Sequence, residues 1–371
     1  MKSSVVEIYK NDVPKVFNKS LGIIFNGQDN LKPIIVENLI DSSPTSFQCA
    51  WILQAFINGK GFEIPTEENI SKNFWEDYYP NDLLNDVAES CSRHTSAFIH
   101  VNYNANYEKE NFEVVPNSLC RLGKEDSQDY VGKILVSPNG WGKQLKKSEI
   151  DVIDSYNPRP EVIQAQVDKA GGWENYKGQI LHFKLSKKHL YGKSPIETAY
   201  KFADVENAMG GYYTSTVRRG FNDIMMVRHR KFSSQNDERQ FKGDMKQVMG
   251  ADGSSSLIMV EDDWESDKND PGNIRIETLS SEVKAEKYKH FEDSSANFIR
   301  KSFYNIPQIL VDLEEGKMGN TSGEAITNAT KMYNANTLIL RQKVTRLFKE
   351  LFWNYKNKIE NNWEIIPFTY L

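Results

Sequence analysis

Three long helical patterns in the second half of the chain place the strongest limit on its fold. The first begins at Ser194-Pro195-Ile196-Glu197, which combines a serine cap, a proline at the first helical position and a glutamate that can reach back to the cap. It is predicted to reach Phe221, a length of about 40 Å. The second covers about 281–304, and the third begins at Thr321-Ser322-Gly323-Glu324 and is predicted to reach Ile359. A chain of 371 residues with helices this long is expected to form two or three compact units.

The segments between these helices have different patterns. Strand-like runs at Ile224–Val227, Ser256–Val260 and Ile274–Leu279, with a helical stretch near Glu238–Val248, predict a small α/β insert between the first and second helices. Between the second and third, the sequence Glu314-Glu315-Gly316-Lys317-Met318-Gly319-Asn320 predicts a loop bounded by glycines.

The first 190 residues predict short helices and strands in an α+β arrangement with antiparallel character. A cap region at residues 41–45 leads into a helix that Gly59 ends, and a second helix is predicted over Leu83 to Arg93. Runs rich in Val, Ile, Tyr and Phe, separated by turn residues, predict strands at 96–103, 112–116, 130–136 and 179–185.

Composition narrows the class of protein. The net charge is -5, which argues against a protein that grips nucleic acid through its overall field. The three cysteines, Cys49, Cys91 and Cys120, are far apart and suit a reducing compartment. The sequence has no secretory h-region and no run long enough to span a membrane. We therefore expect a protein made and used in the cytoplasm, or in a particle assembled there, without contact with a membrane.

The usual signatures of enzymes are absent from the sequence. The six histidines are scattered, with no HExxH and no pairing with cysteine at ligand spacing, and there is no GxGxxG, GxxxxGK[ST] or GxSxG motif. The acidic run at residues 261–270, aligned from Asp263 as a calcium loop, puts Lys268 at the glycine position and Ile274 at the position of the bidentate glutamate. We interpret it as a solvated acidic loop, and we expect no catalytic residue, metal or cofactor.

Several short motifs, in this order, resemble those of portal proteins from tailed phages. Gln179-Ile180-Leu181-His182-Phe183 followed by Leu190-Tyr191-Gly192-Lys193-Ser194-Pro195-Ile196 is similar to the entry to the first stem helix of that family. Asn305-Ile306-Pro307-Gln308-Ile309-Leu310 resembles the exit from the second stem helix, and Asn320-Thr321-Ser322-Gly323-Glu324-Ala325 resembles the start of the wing helix. Near the N-terminus, residues 41–45 and 57–62 resemble portals of the lambdoid, long-tailed type. Together the matches span about residues 20–358.

The resemblance implies an α+β portal fold with an α/β wing, long stem helices, a small α/β clip and a long wing helix. Only about a dozen residues follow the last predicted helix, so the crown is expected to be short or absent. The implied boundaries are 1–190 for the wing, 191–221 for the first stem helix, 222–282 for the clip, 283–305 for the second stem helix, 306–323 for the tunnel-loop region, and 324–371 for the wing helix and C-terminal tail.

The implied function is a head-tail connector: a ring, of twelve subunits by resemblance, at one vertex of a virion capsid in the bacterial host. Double-stranded DNA would pass through it during packaging and ejection. The implied partners are other copies of the chain, the terminase large subunit, the head-tail adaptor and the major capsid protein. A net negative ring with only local basic groups suits this role, because a sticky basic lining would hold DNA through its phosphates and oppose its movement.

Two sets of residues are predicted to make the functional contacts. In the tunnel loop, Lys317, Met318, Gly319 and Asn320 are expected to face DNA. In the clip, charged side chains are expected to select the partner, since charge complementarity governs partner choice; they are Arg228, Arg230, Lys231, Asp262, Asp263, Glu265 and Asp267. Two alternatives stay open: another virion component such as an adaptor or minor head protein, and an enzyme acting on nucleic acid through the acidic run.

Overall fold

A computed structural model of the chain shows an α+β protein that divides into two compact units. One unit comprises Met1–Ala203 together with Ala296–Leu371, and the other comprises Asp204–Ser295. The structure describes residues 17–18, 22–73, 75–123, 132–141, 145–218, 224–229, 232, 234–248, 257–261, 274–279, 285–312 and 320–369.

The first half of the larger unit contains a sheet with helices beside it. A short hairpin, β1 (Phe17–Asn18) and β2 (Ile23–Ile24), precedes three helices, which are α1 (Lys32–Ser42), α2 (Pro44–Asn58) and α3 (Pro80–His94). The strands and the fourth helix then follow as β3 (Ser96–Tyr103), β4 (Lys109–Val115), β5 (Cys120–Leu122), β6 (Lys133–Val136), β7 (Asp151–Ser155), α4 (Pro160–Ala170) and β8 (Gln179–Lys184).

Strands β3 to β8 form one sheet in the order β4-β3-β8-β7-β6-β5. All neighbours are antiparallel except β7 and β8, which are parallel. The four predicted strands are confirmed at β3, β4, β6 and β8, within a few residues. Strands β5 and β7 and helices α1 and α4 were not predicted. The short β5 and the half-exposed β7 lack the apolar runs on which the strand predictions depended.

The predicted cap and glycine exit of α2 are confirmed. The Ser43 hydroxyl accepts from the Ser46 N–H at 3.2 Å, and Pro44 occupies the first helical position. At the other end Gly59 has a φ of 58°, a left-handed conformation that glycine adopts at low cost. The apolar residues of α2 do not all face the core, however. Phe47 and Trp51, one turn apart, are 47% and 60% exposed.

The remaining elements begin with α5 (Tyr200–Arg218), which runs from the larger unit into the smaller one. The smaller unit contains β9 (Ile224–His229), α6 (Gln235–Val248), β10 (Leu257–Glu261) and β11 (Ile274–Leu279), and α7 (Ala285–Ser302) leads back to the larger unit. The chain continues through α8 (Gln308–Val311) and α9 (Asn320–Phe352). The α/β insert is therefore confirmed element by element, whereas the portal names given to the segments stay a prediction.

The ends of the long helices differ from the prediction in two places. Residues Pro195–Thr198 form a 3-10 turn, so the first long α-helix begins at Tyr200 rather than at Pro195. The last helix ends at Phe352, not near Ile359. Asn354 has a φ of 56° and breaks the helical geometry, and Lys356 donates its N–H to the Lys109 carbonyl on β4 at 2.9 Å. Pairing with the edge of the sheet thus replaces the last predicted helical turns.

The main core lies between the sheet and helices α2, α3 and α9. Its aromatic members join distant segments: the rings of Phe112 and Phe352 are 5.1 Å apart, and those of Phe352 and Trp363 are 4.0 Å apart. The predicted apolar stripe of α9 is buried within this chain from Leu340 to Phe352. On α5 the burial stops at Ala203, and Tyr212 and Tyr213 are each 42% exposed. None of the helices in the described residues is both long and apolar enough to cross a bilayer.

Candidate functional site

The entry to α5, which carries one of the motifs of the portal resemblance, is a closely packed junction. The Ser194 N–H donates to the Glu197 carboxylate at 2.7 Å, so the predicted return contact of the capping box is present. The Ser194 hydroxyl donates to the carbonyl of Arg93 in the last turn of α3. This serine therefore joins the end of one helix to the start of the next.

Gly192 stands where no side chain fits. A Cβ atom at this position would lie 2.1 Å from the His94 carbonyl oxygen and 2.6 Å from the Ser96 hydroxyl. Two hydrogen bonds hold the adjacent backbone in this position. Thr95 donates its hydroxyl to the Lys193 carbonyl at 2.9 Å, and Leu185 donates its N–H to the Thr95 carbonyl at 2.9 Å. The glycine of the motif is thus required by a close approach of two backbones.

Tyr191 connects the same junction to the opposite edge of the sheet. Its buried hydroxyl donates to the Ile24 carbonyl at 2.7 Å and accepts from the Leu122 N–H at 2.7 Å. One side chain thereby links β2, β5 and the segment that enters α5. Contacts within the chain thus account for Tyr191, Gly192 and Ser194 of this motif.

His182, the histidine of the motif, stacks on Phe98 with ring centroids 4.2 Å apart and planes 2° apart. Its Nε2 atom is buried and has no hydrogen-bond partner in the part of the chain that the structure describes. Burial, followed by the nearby charge of Lys184, lowers the pKa of His182 to about 3. The ring is therefore neutral in the folded protein at neutral pH.

This histidine makes the fold sensitive to acid, and we expect His182→Phe to reduce that sensitivity. The unfolded chain binds a proton at His182 near pH 6.5, whereas the folded chain does so only near pH 3. Stability is lost as pH falls through this window, at up to about 1.4 kcal/mol per pH unit. Urea unfolding at several pH values between 7 and 5 should show a shallower loss for His182→Phe than for the wild type. The exposed His290→Phe serves as control, and equal slopes for all three proteins would contradict the assignment.

The exit from α7 is also explained by backbone geometry. Tyr304 and Asn305 both have left-handed conformations, with φ values of 60° and 59°, and Pro307 follows. The turn is held from α9: Tyr333 donates its hydroxyl to the Phe303 carbonyl at 2.9 Å, and Asn336 donates to the Tyr304 carbonyl at 3.1 Å. The exit from one long helix is thus fixed to the body of another.

Of the four predicted tunnel-loop residues, the structure describes only Asn320. Lys317, Met318 and Gly319 lie outside the described residues, and Asn320 is the first residue of α9. Their contact with DNA stays a prediction. Beyond this start, α9 is exposed at Gly323, Glu324 and Ala325.

The smaller unit is built around a three-stranded sheet in the order β10-β9-β11. Strands β9 and β10 are parallel and are connected through α6, whereas β11 runs antiparallel to β9. The buried His229 ring lies 4.7 Å from Phe232 and 6.2 Å from Phe241 of α6, and these contacts pack the helix against the end of β9.

The strand register shows which ends of the three strands lie together. His229, the last residue of β9, is the partner of both Glu261, the last of β10, and Ile274, the first of β11. Strands β9 and β10 therefore end, and β11 begins, at the same end of the sheet. Arg228 is partly buried on β9. The other predicted residues lie outside the described part of the chain: Arg230, Lys231, Asp262, Asp263, Glu265 and Asp267.

Buried cations that the sequence analysis missed hold the larger unit together. Arg121 is fully buried; its Nε donates to the Asn30 Oδ1 at 2.5 Å, and its terminal nitrogens donate to the carbonyls of Asn30, Asn117, Ser118 and Cys120 at 2.6 to 3.3 Å. Burial lowers the pKa of Arg121 to about 10, which leaves it charged at neutral pH.

Two further cations bond to the last turns of helices. Lys109 donates to the carbonyls of Glu350 and Trp353 at 2.5 and 2.8 Å, at the end of α9. Arg341 donates to the Phe56 carbonyl at 2.9 Å, in the last turn of α2. A single Lys or Arg gives no sequence signal of such burial, which explains why the sequence did not reveal these cations. No group of His, Cys, Asp and Glu side chains among the described residues has the arrangement of a metal site.

No protein-family model matches the chain, and no curated protein sequence matches it. Solved structures do. A chain in the neck of a native gene transfer agent (GTA) particle, computed with C12 symmetry, aligns over 91% of this chain and 84% of its own length at 11% identity and a TM-score of 0.53. A chain in the neck of an empty GTA particle, computed with C6 symmetry, aligns over 90% of this chain and 83% of its own length, at 11% identity and a TM-score of 0.53. An HK97-family phage portal protein from Corynebacterium diphtheriae aligns over 78% of this chain and 82% of its own length, at 10% identity and a TM-score of 0.41. The chain therefore shares the fold of a protein chain in the neck of GTA particles.

Proposed function

We propose that this chain is the portal subunit of a tailed phage or phage-like particle, of the lambdoid, long-tailed type, and that it forms a ring through which DNA enters and leaves the capsid. The observation that carries the proposal is the fold shared with a neck chain over 91% of the sequence. The order of helices, insert and loop along the chain supports it as well.

The elements fit the parts that this function requires. The larger unit corresponds to the wing, with α9 as the wing helix, and α5 and α7 correspond to the stem. The three-stranded unit corresponds to the clip, whose charged segments would dock the terminase and later the adaptor. Residues 313–319, between α8 and α9, correspond to the tunnel loop. The protein then acts as a structural conduit and not as an enzyme, at a capsid vertex in particles assembled in the host cytoplasm.

Exposed apolar side chains on the stem helices support assembly into a closed ring. On α5, Val205, Tyr212 and Tyr213 are 38% to 42% exposed, and Phe291 on α7 is 54% exposed. Aromatic side chains are enriched in the buried centres of protein interfaces. Contacts between two different faces of each copy close into a ring when the rotation between copies is regular.

Electron microscopy of the purified protein tests the proposal. We expect rings with a central hole, twelve-fold by resemblance, and a map in which residues 313–319 lie at the bore. Tyr212→Glu with Tyr213→Glu should abolish the rings, because charges on an apolar contact face oppose association. Lys358→Glu, at a side chain 88% exposed, should leave them intact.

Two results would contradict the proposal. Monodisperse monomers by light scattering at every salt concentration, with no rings in the images, would exclude a self-closing portal. A particle in which this chain occupies a position away from the central ring would favour an adaptor or a minor head protein.

A further inference from the structure

The segment 184–193, here called the basic loop, connects β8 to the entry of α5 and concentrates positive charge in a chain of net charge -5. It contains four lysines and one histidine, and the sequence has no acidic residue between Glu174 and Glu197. Packing within the chain accounts for its Tyr and Gly and for the Ser that follows it, but it requires none of the exposed lysines.

The basic loop is held in place from inside the protein. Lys184 turns inward and donates to the carbonyls of His189 and Leu190 at 2.9 and 3.0 Å, while Lys343 of α9 donates to the Leu185 carbonyl. Together with the bonds of Tyr191 and Thr95 described above, these contacts fix both ends and the middle of the loop. The exposed side chains therefore project from an ordered base, so that little backbone entropy is lost on binding.

Three lysines of the basic loop are close together in sequence and have no carboxylate partner among the described residues. Lys187, Lys188 and Lys193 are exposed, and none forms an ion pair within the described part of the chain. Six other lysines in the described ranges do have a carboxylate partner within 4 Å; they are Lys32, Lys72, Lys133, Lys177, Lys356 and Lys358. No ion pair among the described residues thus neutralises these three charges.

The charges are close enough to act together. Burial, followed by the charges of Lys193, Lys188 and Lys32, lowers the pKa of His189. Three lysines from separate positions, one of them on α1, therefore contribute to the field at a single imidazole. Such a cluster attracts an anion bearing several charges more strongly than a single carboxylate.

The exposed surface of the basic loop indicates which polyanion it fits. Its apolar side chains, Leu185, Leu190 and Tyr191, are buried or partly buried, so it offers no apolar anchor for a bilayer or for the centre of a protein interface. Ammonium groups without apolar neighbours suit phosphate oxygens, which carry charge but no sequence information.

We propose that the basic loop binds the phosphate backbone of double-stranded DNA, independently of base sequence. The proposal rests on the proposed function for the presence of DNA and adds a contact site remote in sequence from the predicted tunnel loop. Up to three phosphates would be engaged per subunit, through Lys187, Lys188 and Lys193. In a ring the contact is repeated in every copy, so weak individual contacts add.

Fluorescence anisotropy with a labelled duplex of about 30 base pairs tests this contact across a salt series. We compare the wild type with a triple variant, Lys187→Gln, Lys188→Gln and Lys193→Gln. The matched control is Lys72→Gln, Lys356→Gln and Lys358→Gln, which removes the same charge from lysines that have carboxylate partners. We expect the loop variant to bind at least about tenfold more weakly and its salt slope to fall by about three. The control should bind like the wild type, and Lys→Arg at the three loop positions should retain binding.

Three outcomes would overturn the proposal: no binding of the duplex by the wild type, an equal loss in both triple variants, or displacement of the duplex by polyglutamate at equal charge concentration. The last would show that the surface accepts any acidic polymer. Thermal melting and electron microscopy of the loop variant separate this proposal from the proposed function. Intact rings with lost DNA binding support the site, whereas loop-dependent binding without rings refutes the portal and leaves the site standing.

Discussion

Alanine at position 192 is expected to destabilise the protein by about 3 kcal/mol, the largest effect we predict for so small a change. The added methyl group would lie 2.1 Å from the His94 carbonyl oxygen, a backbone atom that cannot rotate away. Relief requires separating the end of α3 from the basic loop, which breaks the hydrogen bonds that Thr95 makes to Lys193 and Leu185. Urea unfolding followed by circular dichroism measures the loss.

The same substitution at Gly210 is the matched control. A Cβ at Gly210 meets no atom within 4 Å, and the residue lies inside α5. Gly210→Ala should leave stability unchanged or raise it by up to about 1 kcal/mol, since alanine favours the helix. A Gly192→Ala protein as stable as the wild type would show that the two backbones do not approach as closely as described.

Arg121→Met is expected to lower the free energy of unfolding by about 3 to 5 kcal/mol. The methionine would fill most of the space, but it would remove the donors that the guanidinium supplies to the main-chain carbonyls of Asn30, Asn117, Ser118 and Cys120. Asn30 has a φ of 64°, so the arginine also maintains a strained turn immediately before α1. Chemical unfolding monitored by tryptophan fluorescence is suitable, because Trp141 lies against the guanidinium at 5.2 Å.

A control variant and a conservative variant test whether the loss is specific to the guanidinium of Arg121. Arg159→Met, at an exposed position, should change stability by less than about 0.5 kcal/mol. Arg121→Lys should recover only part of the loss, because an ammonium group has three donors and cannot reproduce the planar fork of the guanidinium. If the lysine variant were as stable as the wild type, the positive charge, and not the planar geometry of the guanidinium, would hold the turn at Asn30.

Sequence patterns predicted the elements that combine a long apolar repeat with a clear start or stop. Helix α2, the insert and the body of α9 belong to this group, because caps, glycines and apolar spacing act locally. The predicted end of α9 was wrong, because Lys356 pairs with an edge strand that is distant in sequence, and this pairing replaces the last predicted helical turns.

The candidate sites were less predictable for a related reason. A charged residue has the same appearance in a sequence whether it is exposed, paired or buried, so Arg121 and Lys109 gave no signal. The basic loop was visible only as a motif of Tyr, Gly, Ser and Pro. The structure was needed to show that Lys187, Lys188 and Lys193 are exposed together on a loop whose backbone is fixed from within the protein.

The buried cations have a consequence for how such a chain can diverge. Arg121, Lys109 and Arg341 bond mainly to main-chain oxygens, which every amino acid supplies. A mutation at most of the accepting positions therefore keeps the bond, whereas a carboxylate partner would have to be preserved together with its cation. Hydrogen bonds from a buried cation to main-chain oxygens let most of the surrounding sequence change while the helix ends stay fixed. This is one physical route by which a fold persists between chains that share 11% of their residues.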